Sequence, residues 1–216
     1  MSEQWSRVDE HLDALFAAHD DALDAALRAS DEAGLPQIAV APNQGKFLQI
    51  LSQSIGAKHV LEIGTLGAYS TIWLARALPA GGRVLSLEVN AHHAEVARAN
   101  VARAGLADVV EVRLGPALET LPHVEGPFDF TFIDADKHNI PHYFSHALRL
   151  SRPGALIVVD NVVRQGAILD AASEDVSVQG VRRFNELVAN EPRVNATTLQ
   201  TVGTKGWDGF AIVLVK

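Results

Sequence analysis

The sequence contains no cysteine, which narrows the chemistry open to the chain. None of its 216 residues can form a disulfide or supply a thiolate. Disulfide frameworks and metal sites with sulfur ligands are therefore excluded. Any metal ion must be bound through oxygen or imidazole ligands.

The sequence also lacks a long apolar run. Segments such as Ala155–Val159 and Phe210–Val215 have the length of buried strands and are too short to cross a bilayer. The opening segment, Met1–Arg7, is polar and lacks the apolar core of a signal peptide. We therefore predict a cytoplasmic protein that does not associate with a membrane.

Positive charge is scarce as well. Lysine and arginine number 18 against 26 acidic residues, which gives a formal net charge of −8. Such a chain repels phosphate backbones, and its densest basic cluster is the pair Arg182–Arg183, so nucleic acid is not an expected partner. Apolar residues make up 48% and charged residues 20%, which is typical of a globular chain and predicts a single domain over 1–216.

The N-terminal part of the chain has helical periodicity. Apolar residues recur at helix-like spacing over residues 8–29, which predicts one helix or two that end near Gly34 and Pro36. Asn43–Ile55 predicts a further helix with its own apolar stripe. Residues 1–42 are accordingly interpreted as a helical extension of the domain.

From Lys58 onward, short apolar strands alternate with helical patterns, which predicts an α/β fold with a parallel sheet and helices on both faces. The predicted strands are His59–Ile63, Arg83–Glu88, Val109–Leu114, Phe128–Asp134 and Ala155–Asp160. The predicted helices between them are Ser70–Leu78, His92–Ala104, Pro116–Leu121 and Ile140–Leu150. One more helix is expected after Gly180, to about Val188. Two last strands, Ala196–Val202 and Phe210–Val215, have no helix between them and should pair antiparallel across a loop at 203–209.

The turn after the first strand has the features of a cofactor site. Glu62 to Thr71 reads EIGTLGAYST, and its glycines would let a ligand approach the backbone at a helix N-terminus. The second strand ends in Glu88, whose carboxylate could accept hydrogen bonds from ribose hydroxyls. Each feature alone could be a tight turn or a solvated strand end. Their occurrence together favours a nucleotide-type cofactor.

The charge of this turn favours S-adenosylmethionine over a dinucleotide. A dinucleotide site requires G-x-G-x-x-G, whereas here the glycine after Gly64 is Gly67. Glu62 would oppose a pyrophosphate but suits the ammonium and sulfonium of S-adenosylmethionine. An NAD-linked oxidoreductase on a related fold is the alternative.

Oxygen ligands follow two successive predicted strands. Asp134 ends one strand, Asp160 ends the next, and Asn161 follows it. If these strands are neighbours, the three side chains share one crevice and can bind a divalent metal, Mg²⁺ above all, with Ca²⁺ or Mn²⁺ as substitutes. Solvated or loop-capping aspartates are the alternative interpretation.

The ordered set of motifs resembles the cation-dependent O-methyltransferases, which include catechol and caffeoyl-CoA O-methyltransferases and bacterial relatives. The resemblance runs from about Asn43 to the C-terminus and rests on Glu62–Ser70, Gly115–Ala117, Phe132–Lys137 and Asp160–Asn161. It implies a Rossmann-like seven-stranded, mostly parallel sheet with an antiparallel last strand. The implied cofactor contacts are Glu62, Gly64, Thr65, Ser70, Glu88, Ala117 and Asp134. One departure is Ala68, where the family usually has glycine.

The resemblance also implies a reaction. Lys137 would be the general base that takes the proton of one hydroxyl of a catechol-like small molecule, which Asp134, Asp160 and Asn161 hold through the metal. It further implies a homodimer. A metal-independent methyltransferase with a non-diol acceptor and a non-catalytic binding protein remain alternatives. No role is assigned to Lys46, His138 or Lys205; the last occupies the place of a substrate-orienting glutamate in animal catechol enzymes.

Overall fold

The structure is a computed structural model that describes residues 2–17 and 20–216. The region predicted as helical over 8–29 therefore has two positions, 18 and 19, outside the described residues. On either side of them the chain forms helices α1 (Ser2–Phe16) and α2 (Asp21–Glu32). Over the described ranges, the other α-helices are α3 (Pro42–Ser54), α4 (Tyr69–Ala77), α5 (Ala91–Arg103), α6 (Ala117–Thr120), α7 (Ile140–Leu150) and α8 (Val176–Ala189).

The strands form one mixed sheet. Over residues 2–17 and 20–216 they are β1 (His59–Ile63), β2 (Arg83–Glu88), β3 (Val110–Leu114), β4 (Phe128–Ile133), β5 (Ser151–Asp160), β6 (Val194–Gly203) and β7 (Gly206–Val215). The spatial order is β3-β2-β1-β4-β5-β7-β6. Pairing is parallel from β3 through β5 and antiparallel between β5 and β7 and between β7 and β6. The predicted seven-stranded, mostly parallel sheet with an antiparallel last strand is confirmed.

The C-terminal hairpin is longer than its sequence pattern predicts. The expected loop over 203–209 is wrong, because β6 continues to Gly203 and β7 begins at Gly206, which leaves Thr204 and Lys205 as the turn. Gly209 lies inside β7, where a Cβ atom would stand 2.3 Å from the carbonyl oxygen of Leu199. The glycines therefore allow close strand approach here and do not interrupt the strand.

Helix α8 begins earlier than predicted. It starts at Val176, and its N-cap residue Asp175 accepts a hydrogen bond from the backbone N–H of Ser177 at 2.7 Å. Gly180 is inside the helix. A Cβ atom at Gly180 would lie 2.3 Å from the carbonyl oxygen of Lys137, so the glycine lets α8 pack directly on the short 3₁₀ helix Lys137–Asn139.

Apolar side chains of the sheet pack against helices on both faces. On β4, Phe130 and Phe132 face the layer that contains α4 and α5, whereas Ile133 packs with α7 and α8. An edge-on ring contact between Phe144 and Phe184, with centroids 5.5 Å apart, joins α7 to α8. Within the described ranges, no helix is both long enough and apolar enough to span a membrane. Because β1 to β5 pair in parallel, their carboxyl ends lie at one edge of the sheet.

The N-terminal helices pack over that edge. Arg76 of α4 donates two hydrogen bonds, of 2.6 and 3.0 Å, to the carboxylate of Asp20, which also caps the N-terminus of α2. This pairing lowers the pKa of Asp20. Asp9 of α1 accepts from Asn43 at the start of α3 and from the backbone N–H of Thr204 in the hairpin. The helical extension is thereby joined to α4, to α3 and to the turn of the β6–β7 hairpin.

Candidate active site

The turn between β1 and α4 passes close to the end of β4. Gly64 has a φ of +101°, and a Cβ atom there would stand 2.1 Å from the carbonyl oxygen of Asp134. Only glycine combines that left-handed conformation with such an approach. The sequence expectation that a glycine is required at this turn therefore has a physical cause in the neighbouring strand.

Glu62 lies beneath this turn. Its side chain is fully buried and accepts hydrogen bonds from the hydroxyls of Ser70, Thr71 and Ser86. Burial raises its pKa from the ordinary 4.5 to about 7, and these hydroxyls oppose the shift. Glu62 does not line the adjacent cavity; its contact with the cavity wall is the hydrogen bond that it accepts from Ser70.

Glu88 connects the end of β2 to the same turn. Its Oε2 atom accepts from the backbone N–H groups of Thr65 and Leu66 at 3.2 and 2.8 Å, and its Oε1 atom accepts from the N–H of Asn90 at 2.9 Å. The carboxylate is nearly buried but still reaches a cavity wall. It is thus held in one orientation with acceptor capacity left for a ligand.

A cavity of about 780 Å³ opens above the turn. Its walls come from the ends of β1, β2 and β4, from residues 115–119 and from the segment 36–40 that crosses above. Of the residues expected at the cofactor and catalytic sites, those that line it are Gly64, Thr65, Ser70, Glu88, Ala117, Asp134, Lys137 and Asn161. Glu62 and Asp160 are the expected residues that do not.

Ala68, the departure from the family pattern, has a left-handed backbone with a φ of 67°. Its side chain is completely buried among apolar groups and is not part of the cavity wall. The methyl group therefore places strain in the turn but does not intrude on a ligand.

The expected metal ligands are brought together. Because β4 and β5 pair in parallel with Ile133 opposite Val159, Asp134 and Asp160 follow at neighbouring strand ends. Asn161 has a φ of 61°, and its N–H donates to Oδ1 of Asp160 at 2.7 Å. The Nζ atom of Lys137 lies 2.6 Å from Oδ1 of Asp134.

These side chains suit a hard divalent cation. Among the described residues, no group of three or more His, Cys, Asp or Glu side chains is arranged to hold a metal ion, and the group here consists of two carboxylates and one amide. Burial and the neighbouring charge of Asp134 raise the pKa of Asp160 to about 8, although Lys137 opposes the shift. A cation near Asp160 would favour its ionised form, and the all-oxygen donor set matches the preference of Mg²⁺.

A second cavity of about 490 Å³ lies on the other side of this group. Asp134, Asp160 and Asn161 line it, together with an apolar wall formed by Ile38, Val40, Phe47, Leu199 and Phe210. The rings of Phe47 and Phe210 are in contact, with centroids 5.5 Å apart. The two cavities share Asp134, Asn161 and the segment 37–40, so molecules bound in each would meet at the metal-ligand group.

The sequence interpretation missed several residues of the second cavity. Asp208 lines it and accepts hydrogen bonds from the N–H groups of Val163, Arg164 and Gly209, all at 3.0 Å. Asp9 and Arg164 also line it. The Asp208-Gly209 pair was the available signal, since an aspartate before a glycine often binds backbone N–H groups.

Of the three residues without an assigned role, Lys46 and His138 lie outside both cavities. Lys46 places its Nζ atom 5.5 Å from the centre of the Trp73 ring and donates to Gln49, which gives it a packing role. His138 lies 3.3 Å from Asp136 and does not border either cavity. Trp207 packs against Gly166 and donates to Gln200, and Lys205 lines the second cavity.

The strand order, together with a cavity at the carboxyl ends of β1, β2 and β4, defines a class of protein. It is the fold of the class I S-adenosylmethionine-dependent methyltransferases. Glu88 stands at the end of the second strand, as expected for a ribose-binding carboxylate, and the turn at Gly64 lacks the dinucleotide pattern.

Comparisons with known proteins specify the family. The profile of a family described as O-methyltransferase matches residues 16–214. The catechol O-methyltransferase of Mycobacterium tuberculosis is 56% identical over 210 residues, 97% of this chain and 95% of that protein. The catechol O-methyltransferase of Niastella koreensis is 53% identical over 213 residues, 97% of this chain and 96% of that protein.

Solved structures agree. The O-methyltransferase from Bacillus cereus, crystallised in complex with SAH, has a TM-score of 0.98 at 55% identity, with 100% of both chains covered. The chain belongs to the O-methyltransferase family. The prediction of an O-methyltransferase enzyme is thereby confirmed, and the oxidoreductase alternative is set aside.

Proposed function

We propose that the protein transfers the methyl group of S-adenosylmethionine to one hydroxyl of a catechol-like small molecule and requires a divalent metal, with Mg²⁺ as the first choice. The observation that carries this proposal is the meeting of the two cavities at Asp134 and Asn161. A donor in the larger cavity and an acceptor in the smaller one would face each other across these oxygen ligands.

The larger cavity fits the methyl donor. Ser70 and the backbone around Gly64 suit the amino-acid part, where the half-buried Asp134 provides negative potential for an ammonium and a sulfonium and Glu62 orients the hydroxyl of Ser70. Glu88 and Ala117 both line this cavity, where Glu88 would bind the ribose and Ala117 would lie beside the adenine. The Bacillus cereus relative, whose structure is in complex with SAH, supports the choice of donor.

The smaller cavity fits an aromatic diol. Its apolar wall of Phe47, Phe210 and Val40 suits an aromatic ring, and the ring's hydroxyls would point toward Asp160 and Asn161. Asp134, Asp160 and Asn161 would hold the metal ion. A bound divalent metal ion would lower the pKa of a hydroxyl group that coordinates it. The relatives named catechol O-methyltransferase support this acceptor class.

Lys137, in its neutral amine form, would accept the proton of the reacting hydroxyl. Its Nζ atom reaches Asp134 at 2.6 Å and lies in the wall of the donor cavity, so it stands beside the point where donor and acceptor would meet. The ion pair with Asp134 orients the Nζ atom, and the segment 37–40 lines both cavities at their junction. The chain's main contribution to rate is the alignment of hydroxyl oxygen and methyl group.

Replacement of one ligand tests the proposal. For Asp160→Asn we expect kcat/KM for catechol methylation to fall about a hundredfold or more, because a neutral amide binds a divalent cation weakly. Asp160 does not line the donor cavity, so calorimetry should show SAH binding within about twofold of the wild type.

The matched control is Asp108→Asn, which changes an exposed residue ahead of β3. This variant should retain full activity. Unchanged activity of Asp160→Asn in Mg²⁺, or undiminished wild-type activity in excess chelator, would favour the metal-independent alternative.

We also propose a homodimer. Helix α1 presents Val8, Leu12, Leu15 and Phe16 to solvent at helical spacing, with Phe16 68% exposed. A second copy of the chain would cover this apolar stripe. Sedimentation at micromolar concentration should give twice the monomer mass, and Phe16→Glu should shift it to the monomer. A monomeric wild-type protein would contradict this proposal.

A further inference from the structure

The acceptor cavity contains cations that the catalytic proposal does not use. Besides the metal-ligand group, its charged lining residues are Asp9, Asp208, Arg164 and Lys205. The hydrogen bonds of the two aspartates go to protein groups, from Asn43 and Thr204 to Asp9 and from backbone N–H groups to Asp208. Among the described residues, neither Arg164 nor Lys205 forms an ion pair with a carboxylate.

Arg164 is held in place but left without a partner for its side chain. Its backbone is left-handed, with a φ of 53°, and its N–H donates to Asp208 at 3.0 Å. Its Nε atom is buried and has no hydrogen-bond partner, and in the part of the chain that the structure describes no carboxylate lies within 4.0 Å of its guanidinium. A buried donor without an acceptor is costly, so the arrangement is poised for an acceptor from outside the chain.

Lys205 brings a second positive charge to the same cavity. It stands in the two-residue turn of the β6–β7 hairpin, and its Nζ atom makes a long contact of 3.4 Å with the carbonyl oxygen of Gln37. Over residues 2–17 and 20–216 it forms no ion pair. The hairpin and the segment after Asn161 thus each add one cation to the wall.

We infer that Arg164 and Lys205 select acceptors that carry a carboxylate in addition to the diol. This inference rests on the proposed function and names the substrate class of the same site. A guanidinium binds a carboxylate through two parallel hydrogen bonds, and the lysine adds a mobile charge. The metal-ligand group would take the diol while the cations take the acid, which fixes the direction in which the ring enters.

A size-matched pair of acceptors tests the inference. The wild type is assayed with 3,4-dihydroxyphenylacetate and with its neutral amide, in Mg²⁺ and S-adenosylmethionine. We expect kcat/KM to be about tenfold higher for the acid. Arg164→Gln should remove most of that preference and Lys205→Gln part of it, while kcat/KM for the amide stays within about twofold.

Control variants and outcomes separate this inference from the proposed function. Lys58→Gln and Arg183→Gln alter exposed cations away from the cavity and should keep the preference, and SAH binding verifies that each variant is folded. The inference alone is overturned if the wild type turns over both acceptors with equal kcat/KM. It is also overturned if Arg164→Gln lowers kcat/KM by the same factor for both acceptors. Turnover of neither acceptor by the wild type overturns the proposed function as well.

Discussion

At the scale of single residues, a buried carboxylate without a cationic partner in the described structure underlies the donor cavity. Glu62 is surrounded by hydroxyls from Ser70, Thr71 and Ser86 and titrates near pH 7 in the folded protein. Because this pKa lies above the value in an unfolded chain, the folded state holds the proton more tightly. The stabilisation is fully present below pH 4.5 and is lost as the pH rises through 7.

Glu62→Gln should remove this pH dependence. As the pH rises from 4.5 to 8, we expect the free energy of unfolding of the wild type to fall by about 3 kcal/mol relative to the variant. Denaturant titrations of both proteins across this range measure the difference. Glu95→Gln, on the exposed face of α5, is the control and should follow the wild type. Parallel curves for Glu62→Gln and the wild type would show that Glu62 is ionised throughout.

The sequence was sufficient to locate residues that stand at strand ends. Gly64, Glu88, Asp134 and Asp160 could be placed because the carboxyl ends of parallel strands meet at one edge. Arg164 could not be placed, since its position depends on a left-handed backbone and on hydrogen bonds to Asp208, 44 residues further along the chain. Such long-range contacts leave no periodic pattern in the sequence.

At the scale of elements, helix α8 packs against the backbone of Lys137, the proposed general base. Gly180 was interpreted as a boundary because glycine disfavours helices, yet it lies within α8 against the backbone of Lys137 and His138. Glycine can thus occur inside a helix where another segment of backbone packs at contact distance. Helix propensity alone carries no information about that neighbour.

Gly180→Ala distinguishes these two interpretations. Propensity predicts a gain of about 1 kcal/mol, whereas the clash with Lys137 predicts a loss of about 1–3 kcal/mol and a lower kcat, since the base is displaced. Thermal unfolding and steady-state kinetics give both quantities. Arg183→Ala, an exposed change in the same helix, should alter neither by much. A stabilised and fully active Gly180→Ala protein would refute the packing argument.

At the scale of the whole molecule, the sheet order decides where donor and acceptor meet. Strands β1, β2 and β4 build the donor cavity, β5 supplies the metal-ligand end, and the β6–β7 hairpin closes the acceptor cavity. The alternation of strands and helices was sufficient to predict the parallel strands and the antiparallel last pair, but not their spatial order. The full length of the hairpin was not predictable, because its glycines resemble a loop in the sequence.

The central claim is metal-dependent methyl transfer at the junction of the two cavities. The most direct measurement follows label from S-adenosylmethionine to catechol with Mg²⁺, with EDTA, and with EDTA followed by excess Mg²⁺. We expect a methylated catechol in the first and third reactions and none in the second. Equal product in EDTA, or no product in Mg²⁺ from protein that binds SAH, would contradict it.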